Sequence, residues 1–499
     1  MPQHPDDLAA LTDAALSTAA GAACTAAELR VERIRSQTVR LHDGTREGTS
    51  DDTEFGMGVR VVLHGAVGFA ASVDVRPAEA ANLVRLAVEM ARVTAPAAGG
   101  KVELAPEPSH GEVTWSSAFA IDPSGVPLAD KIELLAGWSE RLAAHDAVAH
   151  TTASLLSVSE ETYLADLNGT RATQQRVRCH PQLEALAVSD AGFETMRTLA
   201  PPVGRGWEYL VGSPTEGNWD WDAELAQLPD LLAEKLAAPT VEAGLYDLVI
   251  DPSNLWLTIH ESIGHATELD RAVGYEAAYA GTSFATFDQL GSLVYGSPVM
   301  HVTGDRTIEH GLATVAIDGE GVAGQSFDLI RAGTLVGYQL DRSIAAAMGF
   351  GRSNGCAFAD SPLHVPIQRM ANVSLAHSGA GGPRTEELVS GVDRGILVIG
   401  DKSWSIDMQR YNFQFTGQRF YRIEGGRLAG QVKDVAYQAT TTEFWGALEA
   451  VGGTSTYVLG GAFNCGKGQP GQVAPVSHGC PSALVRGVRV LNSRAEAGR

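Results

Sequence analysis

The chain is short of cysteine, of positive charge and of long apolar runs, and each shortage excludes a class of protein. Five cysteines in 499 residues, at 24, 179, 356, 465 and 480, are too few and too scattered for a disulfide framework. A reducing, cytoplasmic setting is therefore expected. Lys and Arg number 37 against 59 Asp and Glu, a formal net charge of −22. A surface of that sign repels phosphate, so no direct nucleic-acid binding is expected. No stretch reaches 18 uninterrupted apolar residues, so no membrane span is expected. The start, Met1-Pro-Gln-His-Pro-Asp-Asp7, lacks the basic and apolar segments of a signal peptide. Nucleophile-elbow, Walker and dinucleotide motifs are also missing.

What is present is material for two or three packed domains: 499 residues, 44% of them apolar, with 55 glycines. An Ala-rich helix is expected over 6–27, then strands over Glu28–Arg35 and Gln37–His42, followed by an Asp43-Gly44 turn. Gly56–Leu63 and Ala66–Val73 form a predicted hairpin. Pro77–Arg92 and Pro127–His145 have helical spacing, and Pro96–Gly100 reads as a loop. Three or four strands are expected over Ala149–Val188, with Leu167-Asn-Gly-Thr170 as a hairpin turn. Trp221–Ala237 predicts a helix broken near Pro229, and Ala237–Gly244 a linker. Beyond it, strand-like pieces dominate: Leu293–Val302, Ala313–Ile317, Leu335–Gln339, Ile396–Ile399, Tyr411–Phe420 and Phe420–Ile423. A helix is expected to begin at Thr440. The class is α+β, with an N-terminal α+β domain over 1–238 and a β-rich antiparallel domain over 239–499.

The second domain is built around Asp251-Pro-Ser-Asn-Leu-Trp-Leu-Thr-Ile-His-Glu-Ser-Ile-Gly-His265. Tyr246–Ile250 reads as a buried strand. Asp251 then suits an N-cap and Pro252 the first helical position. Leu255, Ile259 and Ile263 make one apolar stripe. Beside it stand His260, Glu261 and His265: two imidazoles able to bind Zn²⁺ and a carboxylate able to take a proton from water. The spacing is unusual. A His-Glu-x-x-His motif keeps both imidazoles on one helical face, whereas an i+5 pair diverges by roughly 140° on an ideal helix. A π turn, or a distortion at Gly264, is therefore expected around Ile263–His265.

A catalytic zinc takes three protein ligands and keeps one position open. Cys465 is one candidate third ligand, in the glycine-rich stretch Gly460–Pro470, which reads as a loop. Lys467 stands nearby to favour the thiolate. Cys480, His301 and His310 are the rivals.

Together these segments resemble the TldD/PmbA family of zinc peptidases, also called modulators of DNA gyrase. The resemblance rests on Gly56-Met-Gly-Val-Arg60 and Gly65-Ala-Val-Gly-Phe69, then on His260-Glu-Ser-Ile-Gly-His265. It continues through Ser353-Asn-Gly355, Pro366, Arg369-Met-Ala-Asn372 and Cys465-Gly-Lys-Gly-Gln-Pro470. It implies that His260, His265 and Cys465 hold Zn²⁺ and that Glu261 is the catalytic base. It implies a peptidase acting on unfolded peptides or peptide precursors, as a homodimer or a heterodimer with a TldE-like subunit. The alternative it leaves is a non-catalytic, zinc-stabilised peptide-binding scaffold. The sequence departs from the family pattern at Ile317-Asp-Gly-Glu-Gly321 and at Cys356-Ala357.

Overall fold

The computed structural model describes residues 5–97, 101–190, 192–468 and 470–496. Met1–His4, the end of the Pro96–Gly100 loop and Gln469 lie outside the described residues.

Alternation of apolar and polar residues, broken in mid-strand at Arg33, Arg35 and Gln37, builds the first sheet. Along the strand Ala26–His42, Ala27, Leu29, Val31, Val39 and Leu41 are buried on one face. The strand order is Ala66–Ser72, Thr45–Leu63, Ala26–His42, His150–Asp166, Arg171–Ser189, Glu112–Ser116. Gly192–Arg197 also pairs with Arg171–Ser189, and only the Glu112–Ser116 pairing is parallel. Helices Pro5–Gly21 and Pro77–Thr94 supply apolar residues such as Leu11, Leu83 and Val84 to one end of the apolar face. Leu128–Ala143 and Trp221–Ala237 do the same at the other, through Leu135, Trp138 and Leu228.

The opposite face carries Glu28, Arg30, Glu32, Arg60, Glu160, Arg176 and Arg178, and it too is buried. The C-terminal half covers it. Arg60 binds Glu28 at 2.9 Å and also pairs with Glu320. Arg30 donates to the His364 carbonyl at 2.8 Å, and Gln174 to that of Ile317 at 2.9 Å. Buried charge is tolerated where it is paired, and most of these groups are.

In the C-terminal half, five strands close into a ring. Arg394–Ile406 pairs in parallel with Gly244–Ile250, and the order continues through Ala483–Asn492, Val435–Thr440 and Asn412–Glu424. Asn412–Glu424 pairs back to Arg394–Ile406 and closes the circuit. The helix Pro252–Ile259 is fixed to this ring through Asn254. Its amide donates to the carbonyls of Gly400 and Thr416 at 2.9 and 3.0 Å and accepts from Tyr437 Oη at 2.8 Å. The fold is α+β, as the sequence implies.

Local structure departs from expectation in several places. The N-terminal helix ends at Gly21, because strand Ala26–His42 begins sooner and runs unbroken. The expected three or four strands over Ala149–Val188 are two long ones. The helix Trp221–Ala237 continues through Pro229, which is buried among the residues it packs on. Leu293–Val302, Ala313–Ile317 and Leu335–Gln339 are mostly irregular segments whose polar groups bond to distant backbone. Tyr295 N–H, for example, reaches the Gly333 carbonyl at 2.7 Å and Ser297 N–H that of Trp445 at 2.9 Å. Asn412–Glu424 is one strand where two pieces were expected.

Candidate functional site

The site begins at the helix predicted to carry it. Asp251 accepts from the Ser253 N–H, Pro252 occupies the first turn, and Leu255, Ile259 and Ile263 are fully buried. After Ile259 the helix widens into a π turn over His260–Gly264, closed by His265 N–H donating to the His260 carbonyl. A tight turn over His265–Thr267 follows. The extra residue in the π turn brings the two imidazoles back together, and their ring centroids are 4.7 Å apart. Gly264 has a packing reason: a Cβ there would lie 2.6 Å from Met370 Sδ.

Cys465 comes from the other side. The Gly460–Pro470 stretch is not a loop, as expected, for the most part. Val458–Lys467 is a strand paired with Gln472–Cys480, with a bulge between Ala462 and Cys465. Close approach still requires glycine, since a Cβ on Gly460 would come within 2.7 Å of the Trp256 indole. Cys465 Sγ lies 3.6 Å from His265 Nε2. Ligand atoms of His260, His265 and Cys465 all fall within 4.8 Å of one another.

The hydrogen bonds determine which nitrogens are free. His478 Nδ1 lies 2.9 Å from the Val373 carbonyl, which can only accept. That places the proton on Nδ1 and leaves His478 Nε2 as an acceptor. His478 Nε2 is 2.7 Å from His260 Nδ1, so His260 donates there and its Nε2 keeps a lone pair. On the second arm, His265 Nδ1 donates to Glu268 Oε2 at 2.7 Å, which likewise frees Nε2. Two imidazole Nε2 atoms and a sulfur form a donor set suited to zinc. Zn–S of about 2.3 Å and Zn–N of about 2.0–2.1 Å at a tetrahedral angle put S and N about 3.6 Å apart, the spacing seen between Cys465 and His265.

The electrostatics keep these donors in their binding forms. Burial pulls His260 below the ordinary imidazole range, and burial and the neighbouring His260 pull His478 well below it. Burial pushes the Cys465 thiol up, but His265 and Arg369 outweigh it and hold the thiol below its usual range. Lys467 does not serve the thiolate as expected. Its ammonium turns to Glu268 at 3.0 Å, Asp270 at 2.8 Å and Gln368. Glu268 is thereby held ionised despite full burial, well below the carboxylate range.

Glu261 is buried beside His260. Burial opposes its charge, but the two imidazoles and Arg410 outweigh that and hold it below the carboxylate range. Arg410 Nη1 donates to its Oε2 at 2.6 Å. Glu261 and the three ligand candidates line a cavity of about 650 Å³. The N-terminal sheet contributes Leu156 and His180 to its wall, and the C-terminal half Trp256, Trp404 and Phe463.

The rival ligands lie elsewhere. Cys480 Sγ faces the Pro252 carbonyl at 3.7 Å, His301 accepts from Ala332 N–H, and His310 donates to the Gly204 carbonyl at 3.3 Å. Sequence reasoning missed Glu268, His478 and Arg410. Glu268 had a signal, standing three residues after His265 on the same helical face. His478 is 218 residues from its partner and Arg410 149 from Glu261, so neither had a local one.

The chain is similar to known proteins along most of its length. Residues 243–492 match the PmbA/TldA metallopeptidase C-terminal domain, and residues 27–91 match PmbA/TldA metallopeptidase domain 1. A metalloprotease of Methanothermobacter thermautotrophicus is 27% identical over 93% of this chain and 95% of its own length. A metalloprotease TldD homolog of Haemophilus influenzae is also 27% identical, over 93% of this chain and 92% of its own. A zinc metalloprotease TldD homolog of Saccharolobus solfataricus is 24% identical over 54% of this chain and 57% of its own. Among solved structures, a candidate modulator of DNA gyrase from Thermotoga maritima aligns with a TM-score of 0.75 at 15% identity, covering 97% of this chain and 100% of that one. TldE from Thermococcus kodakarensis aligns at 0.70 and 16%, covering 97% and 99%, and both likenesses are of fold. With the C-terminal domain match alone spanning half of its residues, the chain belongs to the TldD/PmbA metallopeptidase family.

Proposed function

We propose that this chain is a zinc-dependent peptidase acting on unfolded peptides or peptide precursors. His260, His265 and Cys465 hold the metal, and Glu261 is the general base. The observation that carries the proposal is the meeting of two free Nε2 atoms and one sulfur on the wall of a 650 Å³ cavity that Glu261 also lines. The metalloprotease names of its relatives support it. A purely structural zinc uses a closed set of four protein ligands. Three ligands beside a cavity favour catalysis over a scaffold role.

Zinc, when bound, supplies a Lewis acid that polarises the scissile carbonyl and makes water easier to deprotonate. The remaining work falls to the chain. Glu268 and His478 keep the Nε2 lone pairs directed at the site. Glu261 takes a proton from the attacking water and passes it to the leaving amine nitrogen. The cavity walls limit water around the reacting groups. The same reading includes cytoplasmic location and a dimer, either of two such chains or with a TldE-like subunit. An active monomer in light scattering would contradict the dimer.

The test is Glu261→Gln. Zinc content should stay at the wild-type level, while cleavage of an unstructured peptide falls by about 10²–10⁴-fold, the usual contribution of a positioned acid–base group. Full activity at unchanged zinc content would remove Glu261 from the mechanism.

A further inference from the structure

We propose that Arg410 is a catalytic residue of this site: it anchors Glu261 through Oε2, then stabilises the negative charge that grows on the scissile carbonyl oxygen as Glu261 takes its proton. The inference rests on the peptidase reading and adds to it the residue that receives the developing charge.

Three observations carry it. First, the Arg410 guanidinium lines the cavity with Glu261, and among the described residues Glu261 is its one side-chain partner. The two side chains are 14% and 7% exposed, and Arg410 Nε is buried without any partner. A desolvated guanidinium with five donors and one carboxylate has donors to spare. Second, Arg410 is held with φ +63°, the left-handed region that glycine or asparagine fills at little cost and a long side chain does not. The surroundings enforce it. Asp407 accepts from the N–H groups of Gln409, Tyr411 and Asn412 at 3.0, 2.8 and 3.0 Å, and Thr441 Oγ1 donates to the Arg410 carbonyl at 2.8 Å. The carbonyls of Met408 and Gln409 are held by Thr282 and Phe284 N–H. Strained backbone fixed this firmly beside a site points to a role for the side chain it aims.

The third is charge conservation along the reaction. With Arg410 on Oε2, Oε1 is left to accept a proton, since no other hydrogen bond to the Glu261 carboxylate exists among the described residues. As the C–O bond forms, the water's proton passes to Oε1 and the electron pair of the carbonyl π bond moves onto oxygen. Negative charge leaves Glu261 and appears on that oxygen, so the cation loses one partner as it gains another. When the C–N bond breaks, the proton passes from Glu261 to the amine nitrogen and the ion pair re-forms. Preorganised donors aimed at a developing oxyanion typically contribute about 10²–10³-fold in rate.

The experiment uses the zinc-loaded full chain, an unstructured fluorogenic peptide, and a phosphinic peptide that mimics the tetrahedral carbon. Arg410→Gly suits the left-handed backbone but leaves the Glu261 carboxylate without its cation, so its melting temperature should fall somewhat while the protein still folds and its zinc content stays close to wild type. Its kcat should fall about 10²–10³-fold with KM changed less than about threefold, and phosphinic-peptide affinity should fall in parallel with kcat. Arg410→Lys, which keeps the charge, should recover part of both. The proposal is overturned if Arg410→Gly keeps kcat, if only KM changes, or if kcat falls while phosphinic-peptide affinity holds, the signature of a misplaced base alone. Loss of fold or zinc in both variants would make Arg410 a structural residue and also overturn it. A wild-type enzyme that cleaves no peptide at full zinc content would instead reject the peptidase reading itself.

Discussion

The two histidines of the site keep the same ring nitrogen free but are held by opposite means. His265 donates to a carboxylate, Glu268, which sits in a buried cluster with Lys467, Arg271, Asp270 and Glu276. His260 donates to a neutral imidazole, His478, whose far nitrogen is fixed by a main-chain carbonyl. The first arm holds its proton in place with charge, the second with a chain of neutral dipoles. A carboxylate partner makes an imidazole a stronger donor to metal, and a neutral partner orients it without adding charge to a buried site. The arms should therefore fail differently when cut.

Cutting the charged arm should cost most. Glu268→Ala leaves Lys467 and Arg271 facing a gap, and breaking a buried pair typically costs about 3–5 kcal/mol. The metal-free variant should melt far below wild type or fail to fold, as differential scanning calorimetry would register. A metal-free variant as stable as wild type would refute the idea that the cluster is held by that carboxylate.

Cutting the neutral arm should spare the fold and weaken the metal. In His478→Leu, His260 Nδ1–H loses its acceptor and the ring is free to turn. Losing such an outer partner typically costs about 10–100-fold in metal affinity. Chelator competition should record that loss, with metal-free stability reduced far less than in Glu268→Ala. His478→Gln, which can still accept from His260, should recover part of the affinity. Equal affinities in Leu, Gln and wild type would mean that His478 does not orient His260.

The smallest expected difference is in pH dependence. His478 is held well below the ordinary imidazole value of about 6.5, as His260 is below it, both by burial. A pKa depressed on folding gives stability that is present above the unfolded value and lost as pH falls. One unit below the unfolded pKa, a strongly depressed group has lost about 1.4 kcal/mol. The metal-free protein should therefore lose stability between pH 7.5 and 5.5, and His478→Leu should show a shallower decline. Parallel curves for the two proteins would exclude His478 as one of the groups responsible.

What could be read from the sequence followed contact range. The Asn168-Gly169 turn and the hairpin from Gly56 depend on neighbours and were legible. So was the irregular helix, because an i+5 pair of ligands cannot share a face without one. The charges on the Ala26–His42 strand gave no sign of being covered, since alternation shows two faces but not what covers the second. Pro229 was outvoted by the packing of Leu225, Leu228 and Leu232 around it. Irregular segments such as Leu293–Val302 looked like strands because their backbone partners are far along the chain. His478 and Arg410 reach the site through sheet register and a strained turn, neither of which leaves a local pattern.

The central claim is the ligand set, and X-ray absorption at the zinc edge of the metal-loaded chain tests it most directly. Ligation by His260, His265 and Cys465 predicts one sulfur at about 2.3 Å and two imidazole nitrogens at about 2.0–2.1 Å, with the sulfur absent in Cys465→Ser and retained in Cys480→Ser. A wild-type zinc shell without sulfur, or one whose sulfur survives Cys465→Ser, would contradict it.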